Sequence, residues 1–257
     1  ATFTAFFATS LPGSGNAQFR ALFDSDTFLD NGETLDSWLT EITTDSSMIG
    51  ISISGIVLDA IDLTAGTAGV TFTVMKNGQI IDGPDGVCQM VKKSGKWLYA
   101  GNGRIADVYV RTFSNYYPYQ SGSKITTGLK LSIKADEPAG AAVQSAVVTG
   151  PGISGSAILN RQIEFNWFTL PNGPSNEYAS MNDATIAAIP DNAEYTIQLK
   201  SGADGTGSVL GTYTHKVPKR PCMQSELSAS SFPAVAASTV TAVRAFSGGN
   251  ITVNWTL

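Results

Sequence analysis

Helical periodicity is confined to the first part of the chain. Between residues 16 and 26, apolar side chains recur at i, i+3 and i+4 behind Asn16, a residue type that favours the cap of a helix. Between residues 30 and 45 the same spacing covers two turns, with polar residues on the other side. The spacing predicts two short helices, with apolar faces formed by Phe19, Leu22 and Phe23 and by Leu35, Trp38, Leu39 and Ile42.

From Met48 onward the period changes to two, which is typical of half-buried β-strands. The dipeptide Asn77-Gly78 predicts a tight hairpin turn. A stretch rich in Pro, Gly and Ser, 114–128, interrupts the alternation and predicts a linker. We therefore expect an α+β domain over residues 1–116, with strands at 49–54, 70–74, 86–93, 96–101 and 105–113.

Beyond the linker the pattern is that of strands alone. Short alternating segments are centred on 129–133, 163–167 and 195–199, and Gly-rich turns separate them. This arrangement is typical of an antiparallel β-sandwich, which we assign to residues 117–225. The last segment, 226–257, is predicted to form two strands, "TVTAVRAF" and "NITVNWTL". The fold class is thus an α+β domain followed by an all-β sandwich, mostly β overall.

Composition narrows the classes of function. Charged residues make up 14% of the chain, against roughly 25% in an average soluble protein, and Thr, Ser, Ala and Gly take their place. The net charge is −5 and the 16 Lys and Arg residues form no cluster, which argues against nucleic acid as a partner. No apolar run reaches the roughly 18–20 residues that a membrane-spanning helix needs.

The start of the chain and its cysteines bear on its compartment. The sequence begins at Ala1 without an initiator Met or a signal peptide, so we expect an exported mature product that is periplasmic, extracellular or a cell-surface lipoprotein. Cys88 and Cys222 lie far apart and outside any metal-ligand spacing. Two buried thiols are the favoured interpretation, with a disulfide as the alternative. No metal or cofactor is predicted.

Residues 15–113 resemble a known family. Two helices followed by a curved antiparallel sheet that contains "GQIIDGPDGVCQMVKKSGKWLYAGN" are similar to the nuclear transport factor two-like, cystatin-like α+β cone, whose members often carry a "GKW" return strand. The resemblance implies that Trp97 packs between sheet and helices together with Trp38, as core residues rather than site residues. On this interpretation Trp97→Ala costs roughly 3–5 kcal/mol of stability.

The end of the chain resembles a second family. "VTAVRAFSGGNITVNWTL" is similar to the opening of a fibronectin type III domain, in which Trp255 matches a core tryptophan of the second strand. Two strands alone cannot bury Trp255, so these strands are expected either to complete the preceding sandwich or to begin a third domain. An exposed edge here also predicts self-association through the C-terminal strands.

The sequence offers little for catalysis. Enzymes of the cone family place acid–base residues inside the cone, but the first unit has no histidine, and His215 lies in the sandwich region without a nucleophile motif nearby. Asp59, Asp62 and Asp107 remain as candidate bases, although their positions favour strand ends or outward faces. "GPGISGSA" and the segment with Asp82 and Asp85 are interpreted as turns.

Tyr116, Tyr117 and Tyr119 are the ligand-binding candidates. Tyrosines on an exported β-rich chain can stack on sugar rings or contact a protein surface, and they can equally pack two units together. Two hypotheses follow. One is an exported non-catalytic binding, adhesion or spacer protein with a carbohydrate or protein ligand. The alternative is a cone-type enzyme or a carrier of a small apolar ligand, with the β-domains as accessories.

Overall fold

The computed structural model describes residues 2–82, 87–117, 124–135, 137–162, 167–171 and 177–256. Within them the chain is mostly β, as predicted, and its strands form two large antiparallel sheets. The helices are α1 (Thr2–Phe6), α2 (Ala17–Arg20), α3 (Leu35–Thr44), α4 (Asp183–Ala187) and α5 (Ala237–Arg244), with 3-10 turns at Ser46–Met48, Pro138–Gly140, Gln224–Glu226 and Ala229–Ser231. The two helices predicted from the sequence are α2 and α3, and the Asn16 side chain caps α2 as expected.

The first sheet follows the N-terminal helices. Its strands are β1 (Ile51–Asp62), β2 (Thr67–Lys76), β3 (Gln79–Asp82), β4 (Cys88–Lys93) and β5 (Lys96–Tyr99), in the order β1-β2-β4-β5, with β3 on the remaining part of β2. Asn77 and Gly78 form the predicted turn between β2 and β3 at φ values of 51° and 77°. Positive φ at both positions is what a two-residue hairpin turn requires, and Asn and Gly tolerate it best.

The second sheet contains eight strands. They are β6 (Asp107–Tyr117), β7 (Lys124–Lys134), β8 (Ser145–Thr149), β9 (Ala157–Gln162), β10 (Trp167–Thr169), β11 (Tyr178–Ser180), β12 (Ala193–Lys200) and β13 (Val209–Val217). Their order is β11-β7-β10-β9-β8-β12-β13, and β6 pairs with β7. The sheet curls so that β6 and β13 approach each other, and the Ile105 N–H before β6 donates to the Tyr213 hydroxyl on β13 at 3.0 Å.

The division of the chain differs from the sequence prediction. Strand β6 pairs with β7 along its whole length, from Asp107 opposite Lys134 to Tyr117 opposite Lys124. The segment 105–113 therefore belongs to the second sheet, and the predicted boundary between residues 116 and 117 falls inside a hairpin. Pro, Gly and Ser between 114 and 128 suggested a linker because turns between paired strands use the same residue types.

Each sheet has its own core. Beside the first sheet, the fully buried cluster consists of Phe7, Phe19, Phe23, Phe28, Leu35, Leu39 and Ile42. Inside the second sheet the larger cluster is mainly aliphatic, with Leu129, Leu131, Ile133, Leu159, Ile197 and Leu199 almost without exposure. The aromatic core therefore sits under the helices, and the aliphatic core sits inside the curl of β6 to β13.

The C-terminal segment does not add described strands to the eight-stranded sheet, and the start of a third domain stays a prediction. "TVTAVRAF" lies largely in helix α5, and strand β15 (Trp255–Thr256) pairs only with the short β14 (Ala234–Val235). Trp255 is 64% exposed, so the expectation that it fills a core is wrong for the described structure. Alternation specifies a stable strand only where a neighbouring strand pairs with it, and no described strand pairs with residues 237–244. Self-association through this end stays a prediction.

The structure agrees in one respect with the interpretation of Cys88 and Cys222 as two buried free thiols. Cys88 and Cys222 are not joined by a disulfide. Cys88 is half-buried on β4, whereas Cys222 is exposed, which corrects the expectation that both thiols are buried. Cys222 lies after the last strand of the second sheet, where no core covers it.

Candidate functional site

An apolar cavity of about 420 Å³ lies between the N-terminal helical segments and one face of the five-stranded sheet. Among the described residues that line it, the polar groups are the Tyr99 hydroxyl and two indole N–H groups. The helical side contributes Phe3, Leu22, Phe23, Trp38 and Met48, and the sheet contributes Ile51, Ile53, Ile56, Val70, Phe72, Val74, Met90, Trp97 and Tyr99. Such a lining suits an apolar molecule far better than a charged one.

The helical wall follows from the spacing of apolar residues on α3. Thr34 caps this helix by accepting a hydrogen bond from the Ser37 N–H at 3.4 Å. Leu35 and Leu39 are buried in the aromatic core, and Trp38 lies beside them, half-buried against Phe23 and facing the cavity. One helix face thus serves both the core and the cavity wall.

The sheet wall follows from alternation, and the cavity opens along it. Met90 and Tyr99 lie directly opposite each other on β4 and β5, so their side chains share the cavity face. On β1, Leu58 lies opposite Val70 and therefore shares the same face. Ile56 lines the cavity and is 65% exposed, so this end is open to solvent. The apolar face continues past the helices along the second half of β1.

The chain between Leu22 and Asp30 is fixed against β5 by its backbone. The Tyr99 N–H donates to the Leu22 carbonyl at 3.0 Å, and the Asp24 N–H donates to the Tyr99 carbonyl at 2.8 Å. Gly101, at a φ of 81°, lies against the Leu29 carbonyl so closely that no Cβ fits there. This close approach places Asp30 beside the Tyr99 side chain.

Tyr99 carries the main polar contact of the cavity wall. Its hydroxyl donates to Asp30 Oδ2 at 2.9 Å and lies 3.5 Å from Cys88 Sγ. Burial raises the pKa of Asp30, while the Tyr99 hydrogen bond and the charge of Arg104 oppose the rise. Burial also raises the pKa of Tyr99 well above its usual value. Tyr99 is thus a neutral phenol whose proton is held by a carboxylate that does not line the cavity.

The two tryptophans predicted as core residues line the cavity. Trp38 and Trp97 are both half-buried. The Lys92 ammonium lies 5.9 Å from the centre of the Trp97 ring, on the open side of the sheet wall. Packing between sheet and helices describes their place in the fold, but they form the walls of a cavity and do not fill it.

The predicted tyrosine site does not form a common surface in the described residues. The Tyr116 ring stacks on Phe232 with centroids 5.4 Å apart. This contact fits the alternative that these tyrosines pack against other parts of the chain. Tyr117 is 41% exposed at the end of β6. Tyr119 lies outside the described residues. Tyr117 therefore remains the single exposed member among the described tyrosines of this set.

The candidate bases lie away from the cavity lining. Asp59 and Asp62 are exposed on β1, and Asp62 Oδ1 accepts hydrogen bonds from the N–H groups of Thr64 and Ala65 in the following turn. Asp107 begins β6 in the other sheet. Asp82 ends β3, and Asp85 lies outside the described residues. His215 is buried on β13, far along the chain from the cavity residues.

Two further kinds of feature, a metal site and a membrane-spanning helix, are absent from the part of the chain that the structure describes. No group of three His, Cys, Asp or Glu side chains could hold a metal ion there. No helix in those residues has the length and apolar character to cross a membrane. In comparisons with known proteins, no family model, curated protein or solved structure matches the chain.

Proposed function

We propose that this protein is an exported, non-catalytic binding protein whose N-terminal unit takes a small apolar molecule into the cavity beside Trp38 and Trp97. The cavity carries the proposal, because about 420 Å³ of apolar-lined space is within the usual range of small-molecule sites, about 300–1,000 Å³. Helices packed on one face of an antiparallel sheet support the cone-like interpretation of this unit. The low charge content supports export.

The shape of the site favours uptake from solvent. Ile56 gives the cavity an open end, while Phe3, Trp38 and Met48 close the helical side. Removing apolar surface from water is worth roughly 25 cal/mol per Å², so a ligand gains affinity mainly from the area that it buries here. The Tyr99 hydroxyl donates to Asp30, so this polar group is satisfied internally and selectivity rests mainly on size and shape.

The Tyr99–Asp30 pair supports a second candidate, a cone-type enzyme. A tyrosine beside a carboxylate of raised pKa is a known arrangement for proton transfer. Binding is favoured over catalysis because Asp30 lies behind Tyr99 and does not line the cavity. Tyr99→Phe keeps the ring and removes the hydroxyl. A binding protein should then keep its ligand affinity within about twofold, which is a small change in free energy.

The binding proposal is tested by titration with the neutral fluorophore N-phenylnaphthylamine, whose emission rises in apolar surroundings. We expect saturable binding to the intact protein and a loss of about tenfold or more in affinity for Val70→Phe, which fills the cavity. Val91→Phe is the matched control, since Val91 is next to the lining residue Met90 and points to the opposite face of the sheet.

The control separates cavity binding from general adhesion of the dye. Both variants must keep the wild-type thermal midpoint, which shows that the folded state is being compared. A dye that binds without saturation, or an equal loss in Val70→Phe and Val91→Phe, would show that the cavity is not the site.

A further inference from the structure

A second groove lies on the outer face of the eight-stranded sheet and has a volume of about 470 Å³. Three aromatic side chains line it, Tyr109, Trp167 and Tyr178. Trp167 and Tyr178 keep 38% and 37% of their surface exposed, which is a large exposure for two rings in one groove. None of these residues takes part in the cavity of the first sheet.

The register of four strands brings the groove together. On β7, Lys130 lies opposite Tyr178 of β11, and Ser132 lies opposite Tyr109 of β6. Further along the same strand, Lys134 lies opposite Trp167 of β10. Opposed residues share a face, so a row of polar side chains on β7 runs between aromatic rings on both sides.

The polar centre of the groove is held in place. Lys130 Nζ lies 3.1 Å from Glu177 Oε2, and both side chains are largely shielded from solvent. The same ammonium lies 6.0 Å from the Tyr109 ring centre and 5.8 Å from that of Tyr178. Ser132 is nearly buried at the floor. An ion pair fixed between two rings offers a charged donor and acceptor at a defined position.

We propose that this groove binds a neutral oligosaccharide. Sugar rings present apolar C–H faces that stack on Trp and Tyr, and their hydroxyls hydrogen-bond to charged groups, so they match rings that flank a polar row. We expect a neutral ligand because Glu177 balances Lys130, and Asp107 on β6 lies opposite Lys134. A further charge beside the groove is Arg111, whose guanidinium lies 4.1 Å from the Tyr109 ring centre, so an anionic sugar is included in the test. The site is independent of the apolar cavity and differs from the tyrosine set expected from the sequence.

The test uses the full chain and a panel of neutral oligosaccharides: cellohexaose, xylohexaose, mannohexaose, laminarihexaose and chitohexaose. Tetragalacturonate is the anionic comparison, and affinity is measured by isothermal titration calorimetry. We expect at least one neutral oligosaccharide to bind more tightly than tetragalacturonate. Trp167→Ala and Tyr178→Ala should each weaken that binding by about tenfold or more, and Trp167→Phe should recover part of it.

Tyr117→Ala is the matched control, because Tyr117 is an exposed aromatic residue of the same sheet that does not line the groove. Its sugar affinity should stay at the wild-type value. Loss of binding in Tyr117→Ala with retention in Tyr178→Ala would overturn the proposal and return the site to the predicted tyrosines. Absence of binding to every neutral member, or preference for tetragalacturonate, would also overturn it.

Discussion

Strand β12 of the second sheet buries every other side chain along its length, whereas strand β1 of the first sheet buries Ile51 alone. Both strands have apolar residues, but only β12 has a layer that covers them. The second half of β1 exposes Ile56, Val57 and Leu58, each by more than half of its surface. The two sheets therefore differ in closure more than in apolar content.

The difference in closure distinguishes a sheet that stabilises the fold from a sheet whose apolar face is open to solvent. A closed aliphatic core is stabilised by its own packing, and loss of a side chain leaves a void there. Exposure of a large apolar face to water is unfavourable unless another molecule covers it. Such faces on folded proteins usually mark interaction sites. The second sheet thus has a closed core, and the first sheet has an open apolar face, which is where we propose that a ligand binds.

The largest effect is expected in the closed core. Phe168 on β10 has no exposed surface, so Phe168→Ala should lower the free energy of unfolding by about 3–5 kcal/mol, from lost burial plus the remaining void. Urea unfolding followed by circular dichroism measures this change. A loss below about 1 kcal/mol would mean that the curled sheet relaxes to fill the void left by Phe168. The second sheet would then not have a closely packed, closed core.

The matching truncation in the open region should cost much less. Trp97 is half-buried at the cavity wall, so Trp97→Ala should lower stability by about 1 kcal/mol, well under the 3–5 kcal/mol expected for full burial. The same urea experiment gives the value. A loss equal to that of Phe168→Ala would place Trp97 in a filled core and remove the basis for the cavity.

How far the sequence predicts these regions depends on the range of the interactions. Helix α3, the Asn16 cap and the Asn77-Gly78 turn follow from neighbours a few residues apart, and they are confirmed. The place of β6 depends on pairing with β7 across a turn whose composition resembles a linker, so the predicted boundary falls inside this strand pair. Local alternation of apolar and polar residues predicts a strand, but it does not determine which sheet the strand joins.

The candidate sites show the same limit. Alternation places Trp97 and Tyr99 on one face, but the apolar wall becomes a cavity only because the helices cover part of the sheet. The contact between Tyr99 and Asp30 joins residues 69 positions apart and has no periodic signal. Likewise, the groove aromatics come from β6, β10 and β11, whose register was not available from the sequence.

A pH-dependent effect is expected where the two regions meet, at Glu33. Burial, which contributes most, and the charges of Glu41 and of Glu137, which precedes β8 of the second sheet, together raise the pKa of this carboxyl to about 7. Close packing at this junction is evident at Gly32, where a Cβ would lie 3.0 Å from the Glu137 Cβ. Because the folded-state pKa exceeds the unfolded value near 4.5, the native state binds the proton more tightly.

Stability should therefore be highest below about pH 4.5 as far as Glu33 is concerned, and this contribution should be lost as the pH rises to about 7. Glu33→Gln should remove that decline, so urea unfolding at pH 5 and pH 8 should show a smaller difference in the variant than in the wild type. Glu137→Gln should reduce the decline only in part, since burial and Glu41 still act on Glu33. If Glu137→Gln keeps the whole wild-type decline while Glu33→Gln abolishes it, the charge of the second region does not reach Glu33, and the two regions are electrostatically separate.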